Sequence, residues 1–250
     1  MDIASFALLA LVALGVGLFI GISGVGGVLL IPAMIYAAGL SVHQAVATAL
    51  ASFFFIGSAG TWLFARRGTL QWRLIWPVCT GAVLAGYGGA RLAAQIDARA
   101  LALVIGLLIV GASVLILRPP RVLLPGQERT AGRERLILGA IGLSAGFGSG
   151  LSGAGGPIFS VPLMIAAGFH PLATVGVAQT LQIVAAFSGS VANLQAGTID
   201  GRALAVIVTL QLLGLSAGVR LAHTLSPITL RKVAAWLCVG AGALMISRAL

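Results

Sequence analysis

The sequence predicts an all-α polytopic membrane protein. Two homologous halves are expected as an inverted-topology repeat, each with a glycine-broken half-helix element and three longer helices. Three observations carry that prediction. Only 8% of the 250 residues are charged and 59% are hydrophobic, with a mean hydropathy of +1.11; a soluble globular chain carries about 25% charged residues. Two glycine-rich segments, Gly21-Ile-Ser-Gly-Val-Gly-Gly27 and Gly150-Leu-Ser-Gly-Ala-Gly-Gly156, repeat one pattern in the two halves. Corresponding loops of the two halves carry opposite charge bias.

Residues 4–20 form the first apolar segment. No basic stretch precedes it and no Ala-x-Ala site follows, so it is expected to be retained and not cleaved. The first glycine motif then interrupts the helix. The apolar stretch 28–38 follows, and such a stretch rises about 16 Å, roughly half the hydrocarbon thickness. Hydropathy leaves open whether the first segment spans fully or turns back as a re-entrant hairpin with this half-helix. Longer helices are expected at about 44–65, 72–92 and 99–117.

Residues 118–135 hold Pro119, Pro120, Pro125, Gly126 and five Arg, and read as a polar cytoplasmic linker. The second half repeats the order: an apolar segment at 136–149, the motif, a short stretch at 157–167, and helices at about 173–195, 203–222 and 230–248. The offset that carries Gly21 onto Gly150 also carries Gly39 onto Gly168, Gly68-Thr69 onto Gly197-Thr198, and Arg73 onto Arg202. Gly89-Ala-Arg-Leu-Ala93 falls on Gly218-Val-Arg-Leu-Ala222 without a gap. The chain is thus one membrane domain, 1–250, with repeats at 4–117 and 136–248.

Charge orients the halves. The loop at 66–73 holds Arg66, Arg67 and Arg73, whereas its counterpart holds Asp200 and Arg202. The next loop reverses this: Arg91, Asp97 and Arg99 stand against Arg220, Arg231 and Lys232. With the linker inside, 66–73 and 220–232 are inside too, and the halves have opposite orientation.

The formal net charge of +10 does not point to nucleic acid, because the basic residues sit at span ends and in the linker. The three His are scattered, and Cys79 and Cys238 lie inside apolar runs, so neither a metal nor a cofactor is expected. The acids Asp2, Asp97, Glu128, Glu134 and Asp200 all fall outside the spans, which leaves a buried carboxylate relay unsupported. Gly148–Gly153 matches a dinucleotide-binding pattern without a preceding strand, and Gly142–Gly146 matches a nucleophile elbow without His and Asp partners. An enzyme is not expected.

The glycine motifs are the candidate site. Non-helical backbone at membrane depth leaves unsatisfied N–H and C=O groups, and it is tolerated where it is buried in protein or lines a wet cavity. The half-helix that follows offers free N–H groups and a positive dipole end to an anion. Substrate-binding candidates are therefore Ser23, Gly24, Gly26, Gly27, Ser152, Gly153, Gly155 and Gly156. Tight packing through small residues is the alternative. Gln179, Gln182, Ala186, Ser190 and Asn193 share one helix face, and the two Gln are read as lining a pathway. Thr48 and Ser52, one turn apart, complete the candidates, although such residues also suit packing between helices. Arg91 and Arg220 are expected to snorkel towards headgroups, and His43 and His170 to be interfacial.

The repeated Gly-x-Ser-Gly-x-Gly-Gly, the prolines that soon follow (Pro32, Pro162), the Ala-Gly-Leu and Ala-Gly-Phe turns and the Gly-Thr loops resemble the sulfite exporter TauE/SafE family of membrane transporters. The likeness covers nearly the whole chain except the linker. Ala45-Val-Ala-Thr-Ala-Leu50 is similar to the family's Ala-x-x-Thr-Ser-Leu, with Ala49 where Ser is common; the second half has Val177-Ala-Gln-Thr180 instead. The resemblance implies a multi-pass protein of a bacterial-type inner membrane that moves sulfite, sulfonates and related organosulfur anions. The expectation is export of a small sulfur anion by alternating access, with the lipid bilayer as surroundings and homo-oligomerisation left open. A passive anion channel, or a membrane subunit without transport activity, is the alternative.

Overall fold

The computed structural model describes residues 3–117, 130–169, 171–195 and 199–221, and beyond them only Trp236, 239–240, 242–244 and 246–247. The expected last helix and the linker as far as Arg129 therefore lie largely outside the described residues, as do His170, Gly197, Thr198 and Cys238. Among the described residues every regular element is helical: α1 Ile3–Ser23, a 3-10 turn Gly27–Leu29, α2 Leu30–Ala38, α3 Val42–Arg66, α4 Trp72–Gln95, α5 Ala98–Leu117, α6 Ala131–Ser152, α7 Pro157–Ala166, α8 Pro171–Gln195 and α9 Gly201–Leu221. The segments Val42–Arg66, Ala131–Ser152, Ala173–Leu194 and Gly201–Leu221 are long and apolar enough to cross a membrane. Large apolar side chains such as Leu11, Trp76, Leu136 and Leu213 point outwards, as a lipid-facing surface requires.

Local chemistry sets the element ends. Gly39, at φ 69°, closes α2 in the left-handed conformation. Ser41 and Gln44 then form a reciprocal capping box that starts α3. Pro157 opens α7, where a missing N–H costs nothing.

Packing crosses the midpoint of the chain. The most extensive pairings are α4 with α6 and α1 with α9, followed by α8 against both α4 and α3. Glycines let these backbones touch. A Cβ on Gly21 would lie 2.8 Å from Val219 N, and one on Gly150 would lie 2.9 Å from Ala90 N. The offset between the halves turns the first of these contacts into the second. It also relates Gly17 on Gln211 to Gly146 on Ala82, and Leu18 on Gly218 to Phe147 on Gly89. Residue numbers rise together along both pairs, so α1 runs parallel to α9, and α6 to α4. In contrast, α3 and α8 run antiparallel: Leu50 meets Gly189, Gly60 meets Gln179, and Phe64 meets Gly176.

Contacts sort the helix ends. Arg73 pairs with Glu134 at 2.9 Å, and Gly176 sits against Leu70. The loop after α3, the starts of α4, α6 and α8, and the close of α9 thus share one end, with Arg66, Arg67, Arg73, Arg133, Arg135 and Arg220. At the other end His43 Nε2 lies 3.1 Å from the Ile96 carbonyl, and the Asp200 amide donates to Thr48 Oγ1 at 3.0 Å. Arg91, Asp97, Arg99, Asp200 and Arg202 gather there. Since α1 starts beside the start of α9 and α2 leads back into α3, α1 and α2 form a hairpin opening on this second end. By the same logic α6 and α7 form a hairpin opening on the arginine end. Hydropathy could not choose between span and hairpin because α1 is itself 21 residues long.

Candidate functional site

Each helix outlasts its first motif residues. Gly21-Ile-Ser still belongs to α1 and Gly150-Leu-Ser to α6, so the breaks begin at Gly24 and Gly153. Those two residues have φ of 75° and 63°, and Gly155 has 88°. This is the left-handed region, where a Cβ costs about 1–2 kcal/mol. Gly24 lies against Val175 near the start of α8, and Gly153 against Val46 near the start of α3. From these opposite depths the two breaks run to the middle and meet.

At the meeting point a Cβ on Gly27 would lie 2.9 Å from the Ala154 carbonyl oxygen and would collide with the Phe53 ring. Phe53 Cδ2 and Cε2 also lie 3.4 Å from where a Cβ on Gly155 would be. Phe53 and Gln182 each stand at the middle of a 25-residue helix, α3 and α8, which fixes the meeting point at mid-depth. A narrow cleft runs between the breaks. Gly24 to Gly27 form one wall, and Ala154, Gly155, Pro157 and Ile158 the other, with Ile20 and Gln182 completing it. Its walls leave no room for a free water, and none of its lining side chains is charged.

The cleft is nonetheless polar, through its backbone. Among the described residues the amides of Gly26, Gly27 and Gly155, all in its walls, meet no acceptor. A buried unpaired amide costs free energy comparable to a lost hydrogen bond. Gln182 is 2% exposed, and its Oε1 also lacks a partner.

The other predicted residues have different places. Ser152 shapes the turn: its hydroxyl donates to the Gly148 carbonyl at 2.5 Å and accepts the Ala154 amide at 3.2 Å. Ser23 occupies the equivalent position, and its side chain lies outside the described residues. Gly156 packs on Leu181, and Gly153 on the Val46 backbone. Ser52 donates to the Ala49 carbonyl of its own helix at 2.7 Å. Thr48 holds the Asp200 loop, one end away from the cleft. Gln179 reaches towards the Ile20 carbonyl, Nε2 to O 3.5 Å, at the close of α1, and its Oε1 is buried without a partner. The structure thus gathers Gly24, Gly26, Gly27, Gly155 and Gln182 in the cleft, sets Gln179 at its margin, and puts Thr48 and Ser52 into helix contacts.

Phe53 is the residue that sequence reasoning missed. The repeat itself holds the signal, since the offset between the halves carries Phe53 onto Gln182. Arg91 is exposed and donates to Tyr87 Oη at 3.1 Å, lying over the same ring. No group of three or more His, Cys, Asp or Glu comes together among the described residues.

Neither a curated protein nor a solved structure matches the chain. The family described as sulfite exporter TauE/SafE does, over residues 8–245. With its glycine-broken hairpins and apolar spans, the chain belongs to the sulfite exporter TauE/SafE family of membrane transporters.

Proposed function

We propose that this protein exports small sulfur oxyanions across a bacterial-type inner membrane by alternating access, binding them between the two glycine breaks. The observation that carries the proposal is the mid-depth cleft, whose two walls hold the backbone amides of Gly26, Gly27 and Gly155 without acceptors. Buried N–H groups at helix starts suit an anion, and discontinuous helices at the midplane are where carriers bind substrate.

The inverted relation of the halves is supported by α3 and α8. They occupy corresponding places in the two halves and run antiparallel. Their contacts are also reciprocal, since Leu50 on Gly189 maps onto Gly60 on Gln179. A two-fold axis in the membrane plane produces that reciprocity. Two halves so related exchange environments when the molecule rocks, which is the basis of alternating access. The closed cleft favours a carrier over an open pore, because binding requires the walls to part. The arginine-rich end is assigned to the cytoplasm. Export of an anion from a negative-inside cell then gains about 2.3 kcal/mol per charge per 100 mV.

The test is flux in liposomes holding the purified chain. Sulfite and methanesulfonate are expected to move under an applied potential, with saturation and with acceleration by the same anion on the far side. Flux linear in concentration, without such acceleration, would replace the carrier by a channel. No flux of either anion would end the substrate assignment.

A further inference from the structure

Resting on the proposed anion site, we infer that the cleft selects a singly charged oxyanion that still carries a donor hydrogen, so that sulfite travels as hydrogen sulfite and not as the dianion. Two independent features support this. The first is charge. The cleft lining contains no Lys, Arg or His, and what it offers an anion is backbone N–H. Stripping water from an ion is costly in an apolar interior unless it is paired, and that cost rises with the square of the charge. Neutral amides compensate one charge far better than two. The second feature is Gln182. It stands in the cleft wall, 2% exposed, with Oε1 lacking a donor, while its Nε2 lies on the Gly155 side, 3.8 Å from where a Cβ there would be. A buried acceptor left unsatisfied is costly. A fully deprotonated oxyanion brings only more acceptors to it. Hydrogen sulfite brings one O–H for Oε1, and its remaining oxygens face the amides of Gly26, Gly27 and Gly155. The proton crosses with its ion and is never transferred to the protein.

The experiment is equilibrium binding to the purified full-length chain in detergent, across a pH series, with sulfite, methanesulfonate and sulfate. Methanesulfonate is a monoanion without a donor hydrogen, and sulfate is a dianion. Apparent sulfite affinity is expected to fall about tenfold per pH unit above its second ionisation, because only the protonated fraction binds. Methanesulfonate affinity is expected to stay level over the same range, and sulfate to bind at least about tenfold more weakly than hydrogen sulfite, since a second charge goes uncompensated. In Gln182→Leu the preference for hydrogen sulfite over methanesulfonate is expected to shrink about tenfold, the weight of one hydrogen bond to a charged ligand; Gln182→Met serves if the first variant does not fold. Sulfite affinity that holds or rises with pH, or sulfate binding on a par, overturns the inference while the transport proposal stands. So does a preference unchanged in the Gln182 variants. Failure of all three anions to bind at any pH removes both.

Discussion

The two halves share a backbone plan and differ in the chemistry laid upon it. Both breaks start at a left-handed glycine, and both hairpins lean on a helix from the other half through the same glycine contacts. Yet where the second half buries Ser149, Gln179, Gln182, Ser188 and Gln211, each with an unpartnered polar atom, the first half has Ile20, Leu50, Phe53, Ala59 and Ala82 at the corresponding places. The buried Thr48 and Ser52 of the first half are both hydrogen-bonded. The difference teaches that the fold demands only the glycines twice. Side-chain polarity at the cleft is present once, because both halves line a single cleft.

The largest way to break the symmetry is to wedge one of its helix pairs apart. Gly150→Val puts a branched side chain against the Gly86 and Ala90 backbones, and Gly21→Val does the same to Leu215, Gly218 and Val219. Overpacking costs about 1–3 kcal/mol or more. Both variants are expected to lose the monodisperse peak in size-exclusion chromatography to a similar degree; tolerance of one and not the other would deny that the contacts are equivalent. Next comes the asymmetry. Gln182→Leu is expected to lower anion flux about tenfold or more through the lost hydrogen bond, whereas Phe53→Leu, which keeps an apolar group on Gly27, should lower it less than about threefold, as a conservative core swap does. Equal losses would show that the cleft does not distinguish its walls.

Smaller effects follow at the breaks. Gly24→Ala and Gly153→Ala each force a Cβ into a left-handed turn, at about 1–2 kcal/mol, and Gly153 adds a clash with the Val46 backbone. Thermal unfolding in detergent should rank Gly153→Ala as the more destabilised. The smallest effect belongs to Arg73 and Glu134. The arginine is 74% exposed, and exposed pairs contribute about 0–1 kcal/mol. Glu134→Gln should leave the melting temperature within about a degree or two of wild type.

Much of this was legible in the residues. The glycine motifs, their constant register and the order of helices follow from hydropathy and from the few places where a helix must stop. The excess of arginines at one end, against arginines offset by Asp97 and Asp200 at the other, agrees with the swapped loop charges. What hydropathy could not express is who packs on whom. The pairing of α1 with α9 and of α6 with α4 depends on glycine rows, Gly17 and Gly21 or Gly142, Gly146 and Gly150, that resemble many other small residues in a chain with 35 glycines. Nor does a sequence separate a hydroxyl that meets a ligand from one that caps its own turn. Ser152 is a reasonable candidate for binding until two bonds within the break are seen to occupy its oxygen. Gln182 stands out because an amide in an apolar helix has few reasons to be there.

The exchange of hairpins between halves has a consequence for birth at the ribosome. Gly146 finds its partner Ala82 already made, whereas Gly17 must wait for Gln211, near the far end of the chain. At roughly 5–20 residues per second of synthesis, the first hairpin spends on the order of 10–40 s in the bilayer before α9 arrives to cover its glycine face. The second hairpin docks almost as it emerges. Of the two hairpins, the first to be translated is therefore the later to be enclosed.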